Sequence, residues 1–249
     1  MADATRQVVV AYDIDGNVVE TLATLENVTD PDEEMELRRL PNGNLLLLRQ
    51  RVEGNEDNRQ AVATFLGTDG TVQVERVIST TYVSGDFGVA VSTDGHIVVS
   101  MEESASDVGL YAVYTQDGTV IRAPGQFTDS EPSGVAAGVF GDGSFLLAFS
   151  DDESTSGVMQ NLSRTGTPTS LPILFGGNVT PGYRSVGDIL PVSDHEAWIA
   201  YKPYEFDHGF RILPVTKGYL SLVNLGGGVV RLYNHGAVTV DAVVTATGN

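Results

Sequence analysis

The segment Asp13-Ile14-Asp15-Gly16-Asn17 sets oxygen donors at alternate positions ahead of a glycine, as a calcium-binding loop begins. The distal glutamate that completes such a ligand set is missing, and a type I′ turn accounts for the same residues without an ion. Three of the four histidines, His96, His195 and His235, stand at or beside turns in different parts of the chain, so no common metal site is expected. His208 lies in Lys202-Pro203-Tyr204-Glu205-Phe206-Asp207-His208-Gly209, where rings and polar groups alternate. Tyr204, Phe206, Asp207 and His208 have the composition of a partner-contact patch. With no cysteine, disulfides, thiolate metal sites and cysteine nucleophiles are excluded. Gly-x-Ser-x-Gly, Walker and dinucleotide motifs are absent, and Gly226-Gly227-Gly228 reads as a tight crossover between strands. The expectation is no catalytic residue, no metal and no cofactor.

The elements that would position these residues announce themselves by period. Asp15-Gly16, Asp69-Gly70, Asp117-Gly118, Thr165-Gly166 and Lys217-Gly218 recur at intervals of 54, 48, 48 and 52 residues. A second series, Asn42-Gly43, Asp94-Gly95, Asp142-Gly143, Asp194-His195 and His235-Gly236, precedes members of the first by 27, 23, 23 and 23. Each dipeptide divides two short apolar runs of high β-propensity, as in FGVAVSTDGHIVVSM. The pattern predicts two-residue hairpin turns with positive φ, and four strands in each period of about 50 residues.

In these repeated x-Asp-Gly-x hairpins the whole chain resembles the β-propeller superfamily, without the WD dipeptide or the Kelch double glycine. The predicted fold is an all-β, single-domain (1–249), five-bladed propeller of four-stranded antiparallel blades at 34–78, 87–124, 134–174 and 184–223. The fifth blade is composite, residues 7–23 pairing with 229–247 to close the ring and remove exposed edges. The resemblance implies a further chemistry, because five-bladed propellers include glycosidases whose inner-strand carboxylates meet in a central funnel. The residues nearest inner-strand starts are Glu34, Glu36, Asp86, Glu131 and Asp188, and none sits in a recognisable signature.

Acidic residues outnumber basic ones 33 to 14, a net charge of −19, which disfavours nucleic acid and anionic membranes as partners. Lys202 and Lys217 are the only lysines, an arginine bias of halophilic or GC-rich sources. More than half of the carboxylates fall in the segments 24–34, 52–60, 79–87, 101–109, 125–133, 150–157, 175–183 and 201–209, assigned to one face. The N-terminus lacks a basic region and an apolar core, so no signal peptide is expected, nor any membrane insertion. These readings lead to a non-enzymatic binding or structural propeller on a virion or particle surface, soluble and otherwise cytoplasmic, with a protein partner or a surface glycan. The alternatives are a carbohydrate-binding propeller with pockets between blades and a glycosidase using funnel carboxylates.

Overall fold

In the computed structural model the described residues are 7–12, 14–25, 35–52, 59–80, 87–103, 108–128, 132–151, 157–170, 172–175, 185–202, 211–216, 220–226 and 229–234. They form antiparallel sheets only. Strands β1 (Gln7–Tyr12) and β2 (Val18–Leu25) make a hairpin. Three four-stranded sheets follow: β3 (Glu36–Arg39), β4 (Leu45–Val52), β5 (Arg59–Leu66) and β6 (Val72–Ser79); then β7 (Phe87–Val91), β8 (His96–Glu103), β9 (Val108–Thr115) and β10 (Val120–Thr128); then β11 (Pro132–Val139), β12 (Phe145–Asp151), β13 (Gly157–Leu162) and β14 (Ile173–Phe175). A three-stranded sheet holds β15 (Ser185–Pro191), β16 (Glu196–Lys202) and β17 (Arg211–Thr216), and β18 (Leu220–Gly226) pairs with β19 (Val229–Asn234). Within each sheet the strands pair in sequence order, the meander of a propeller blade. No helix among the described residues is long and apolar enough to cross a membrane.

The Asp-Gly and Asn-Gly dipeptides do make the hairpins, but not as two-residue turns. Gly43 N donates to Leu40 O at 2.9 Å and Leu40 N to Asn44 O at 2.8 Å, which leaves a three-residue loop with Gly43 left-handed at its end (φ 89°). The same bond pair recurs at Gly70, Gly95, Gly118, Gly143 and Gly166. The preceding Asp or Asn accepts from the residue after the glycine: Asn44 N to Asn42 Oδ1 and Thr71 N to Asp69 Oδ1, both 3.0 Å. The acid is therefore selected as a side-chain acceptor within the turn, and positive φ falls on glycine.

Buried clusters join successive sheets in chain order. Val9, Ala23 and Leu25 pack on Leu47 and Leu66; Leu48, Ala63 and Phe65 on Val99 and Met101; Val98 and Val113 on Ala137 and Leu147; Ala136 and Leu146 on Ile189 and Ile199. The turn glycines dock each sheet on the one before it. A Cβ on Gly118 would overlap Val74 and sit 3.0 Å from Phe65, and Arg76 Nε donates to Gly118 O at 2.8 Å. One repeat later, a Cβ on Gly166 would lie 2.5 Å from Val113, and Tyr111 Oη donates to Gly166 O at 2.8 Å. The leading strands of successive sheets touch, β7 with β11, β11 with β15 and β3 with β7, so they share one inner edge while β6, β10 and β14 lie outermost.

The C-terminal part departs from the expected strand order. Gly226 stands opposite Val229 and the two strands run antiparallel, so the glycine run separates paired strands and is not a crossover between blades. With no side chain beyond Cα, glycine imposes no bar to a tight reversal. Because β18 pairs with β19, the sheet of β15–β17 has three strands among the described residues.

Candidate functional site

Two regions gather groups capable of chemistry. The first is the inner edge formed by β3, β7, β11 and β15. Glu36, the first residue of β3, is partly exposed, ion-paired with Arg38, and opposite Leu48. Asp188, in β15, is exposed and accepts from Ile189 N at 2.7 Å through Oδ1. Asp86 and Glu131 immediately precede β7 and β11 in the chain; both, with Glu34, lie outside the described residues. Along the chain, then, Glu36 opens β3, Asp86 and Glu131 directly precede β7 and β11, and Asp188 is the fourth residue of β15.

The second region is a groove of about 580 Å³ between the sheet of β7–β10 and the sheet of β11–β14. Tyr111, Phe149 and Val158 are buried in its floor, with Phe127 half-buried above them. The Phe127 ring stands edge-on to Tyr111 at 6.0 Å and to Phe149 at 5.1 Å. Arg122 lies over the Tyr111 ring, 4.9 Å from its centroid. Burial pushes the Tyr111 hydroxyl above the usual tyrosine range, opposed by the charge of Arg122 and its hydrogen bond. Gln160 is 5% exposed, and its Nε2 donates to Ser170 O at 2.6 Å and Asn161 O at 3.2 Å.

Strand irregularity opens this groove. The register of β10 on β9 slips three times around Pro124, whose missing N–H suits an outermost strand, and these bulges aim Arg122 and Phe127 at the next sheet. In the neighbouring sheet, among the described residues, Ile173–Phe175 pair as the fourth strand, and Pro168 and Pro172 line the groove beside it. The glycine docking of Gly166 sets the distance between the two sheets.

The sequence-derived contact patch, Tyr204, Phe206, Asp207 and His208, lies outside the described residues, as do His235 and Asp13. Ile14–Asn17 form the β1–β2 turn with Gly16 at φ 84°. His96 and His195 lie at the β7–β8 and β15–β16 connections, apart from both regions. Among the described residues no three His, Asp or Glu side chains are grouped to hold a metal ion. The groove residues Arg122, Phe127 and Gln160 carry no sequence motif; the proline inside the β10 run was the one local sign of irregularity.

No family model matches the chain, and no curated protein does. Among solved structures it is similar to an α-L-arabinofuranosidase from Lactobacillus brevis, at 13% identity over 82% of this chain and 79% of that one, with a TM-score of 0.40. It is also similar to an endo-arabinase from Bacteroides thetaiotaomicron, at 12% identity, 84% coverage of both chains and a TM-score of 0.42. A third is prolyl oligopeptidase B from Galerina marginata, at 12% identity over 87% of this chain but 30% of that one, with a TM-score of 0.44. Likeness at this level assigns no activity.

The expectation of a non-enzymatic, structural module on a virion or particle surface is corrected by these findings, since structures it resembles include glycosidases, and nothing in them supports a virion or a halophilic source. The physical reason is plain. Absence of a local motif excludes only chemistry built from sequence neighbours, whereas strands about 50 residues apart in the chain, such as β7, β11 and β15, lie side by side.

Proposed function

We propose that the chain is a carbohydrate-active propeller that hydrolyses glycosidic bonds with two carboxylates from its leading strands. The observation that carries this reading is an acid in, or directly before, each leading strand of the sequence: Glu36, Asp86, Glu131 and Asp188. Glycoside hydrolysis needs one carboxylic acid to protonate the leaving oxygen and one carboxylate as nucleophile or base, separated by about 5–5.5 Å for retention or about 6.5–9.5 Å for inversion. Strands converging on one edge supply such pairs without any sequence motif. The substrate class is an oligo- or polysaccharide, which is also the partner.

The reading includes a ring of five blades closed by the two ends of the chain. Its support is an uncovered apolar face. On the sheet of β15–β17, Ile189 and Ile199 are buried against the preceding sheet, while Leu190, Trp198 and Ile212 on the opposite face are 59%, 38% and 63% exposed. The β1–β2 hairpin has two strands among the described residues and also exposes Val8, Val18 and Val19. Bringing the two together buries both faces.

The test is release of reducing ends from a panel of arabinans, galactans and aryl glycosides, with Glu36→Gln, Asp86→Asn, Glu131→Gln and Asp188→Asn made singly. Two of the four should lose about 10²–10⁴ in kcat with an unchanged melt, and the others should stay within about tenfold. No hydrolysis of any substrate, or full activity in all four variants, overturns the proposal.

A further inference from the structure

We propose that the groove between the sheets of β7–β10 and β11–β14 is a second, non-catalytic site that binds a carboxylated saccharide. Three observations point to a ligand and to its chemistry. Arg122 is the groove's cation, and the ion pairs among the described residues involve Arg38, Arg49, Arg51, Arg164 and His96 but not Arg122. In a chain with 33 acidic residues, a half-buried guanidinium held against Tyr111, with one hydrogen bond to its hydroxyl and in no such pair, has its other N–H donors for a carboxylate from outside.

Gln160 supplies the second observation. Its Nε2 is committed to Ser170 O and Asn161 O, and Oε1, which receives no hydrogen bond from the described residues, keeps access to solvent in the groove. An acceptor that lines a groove can exchange water for a ligand's donor, and a sugar hydroxyl is one. Third, Phe127 is braced edge-on by two buried rings, so it presents a rigid apolar surface with Pro168 and Pro172 at the mouth. Apolar C–H faces, hydroxyl donors and one carboxylate occur together in a uronate residue. Inorganic phosphate would satisfy Arg122 but would leave the ring and the Gln160 acceptor unused. The volume lies within the usual range of ligand sites.

This inference does not rest on hydrolysis at the leading strands, because binding is read without turnover. Calorimetric titration of the full chain in 0.15 M KCl uses trigalacturonate, its carboxyl-reduced neutral form and inorganic phosphate. Trigalacturonate should bind at least tenfold tighter than either of the others. Arg122→Gln should remove that preference with Tm unchanged, and Phe127→Leu should weaken the acidic and neutral sugars alike. No binding of trigalacturonate, equal binding of its reduced form or of phosphate, or parental affinity in Arg122→Gln overturns the assignment. If Arg122→Gln melts early, chemical-shift mapping on the parent decides: perturbation of the Arg122 Nε–H and Gln160 side-chain amide signals supports the site, and perturbation only elsewhere overturns it.

Discussion

Replacing Gly118 by alanine separates what the repeated turn requires from what packing between sheets requires. Gly118 has φ 78°, and its Cβ would overlap Val74 Cγ1 and come within 3.0 Å of the Phe65 ring. Neither neighbour yields easily, since Val74 is β-branched and Phe65 is fully buried. Gly16 has nearly the same φ, 84°, with nothing within 4 Å of the place a Cβ would take. Both substitutions carry the left-handed penalty of about 1–2 kcal/mol. Only Gly118→Ala adds overpacking, about 1–3 kcal/mol. Thermal and denaturant melts of the two variants should therefore differ by about 1–3 kcal/mol, with each kcal/mol worth about 2–4 °C in Tm for a chain of this size. Gly70→Ala, whose Cβ would run into the Leu22 carbonyl, should be worse than either because the obstacle is backbone. Equal destabilisation at Gly16 and Gly118 would refute the docking of each turn on the preceding sheet.

Three further outcomes follow from the same geometry. Glu75 binds Arg49 at 2.9 Å and Arg51 at 3.0 Å and accepts from Thr64 at 3.0 Å, while the Arg49 side chain is 4% exposed; Glu75→Gln strands that charge and should cost about 2–4 kcal/mol in denaturant melts. Burial would raise the Glu75 carboxyl, but the hydrogen bonds from Arg49 and Thr64 and the charges of Arg49 and Arg51 leave it below its usual 4.5, so its contribution should be full above that pH and fall away as the pH drops through the lowered value. A parent melt whose acid-side slope is unchanged in Glu75→Gln would contradict this. The Tyr114 hydroxyl is buried without a hydrogen-bond partner among the described residues and burial pushes it up to about 12, so stability should fall as pH rises from about 10 to 12, and Tyr114→Phe should remove that loss and be neutral or stabilising by about 1 kcal/mol in the same melts. Deleting residues 1–25 should abolish the cooperative circular-dichroism melt, whereas a native-like melt would argue against closure by the chain ends.

The period of the turn dipeptides was enough to establish strand content, antiparallel pairing and the order of three four-stranded sheets, because each hairpin depends on residues within a few positions of one another. The Asp-Gly pairs located the turns correctly and misled on their type: Thr71 N donates to the Asp69 carboxylate within a three-residue loop, which composition does not distinguish from a two-residue turn. The pairing of β18 with β19 was likewise invisible, since apolar runs on either side of three glycines fit a hairpin or a crossover equally well. The groove was beyond reach for a different reason. Arg122 and Phe127 belong to β10 and Gln160 to β13 of the next sheet, and they meet because β10 bulges around Pro124 and Gly166 seats one sheet on Tyr111 and Val113. Local propensity acts along the chain and is legible there; a site between sheets depends on how far apart those sheets stand, and that distance is set by tertiary packing.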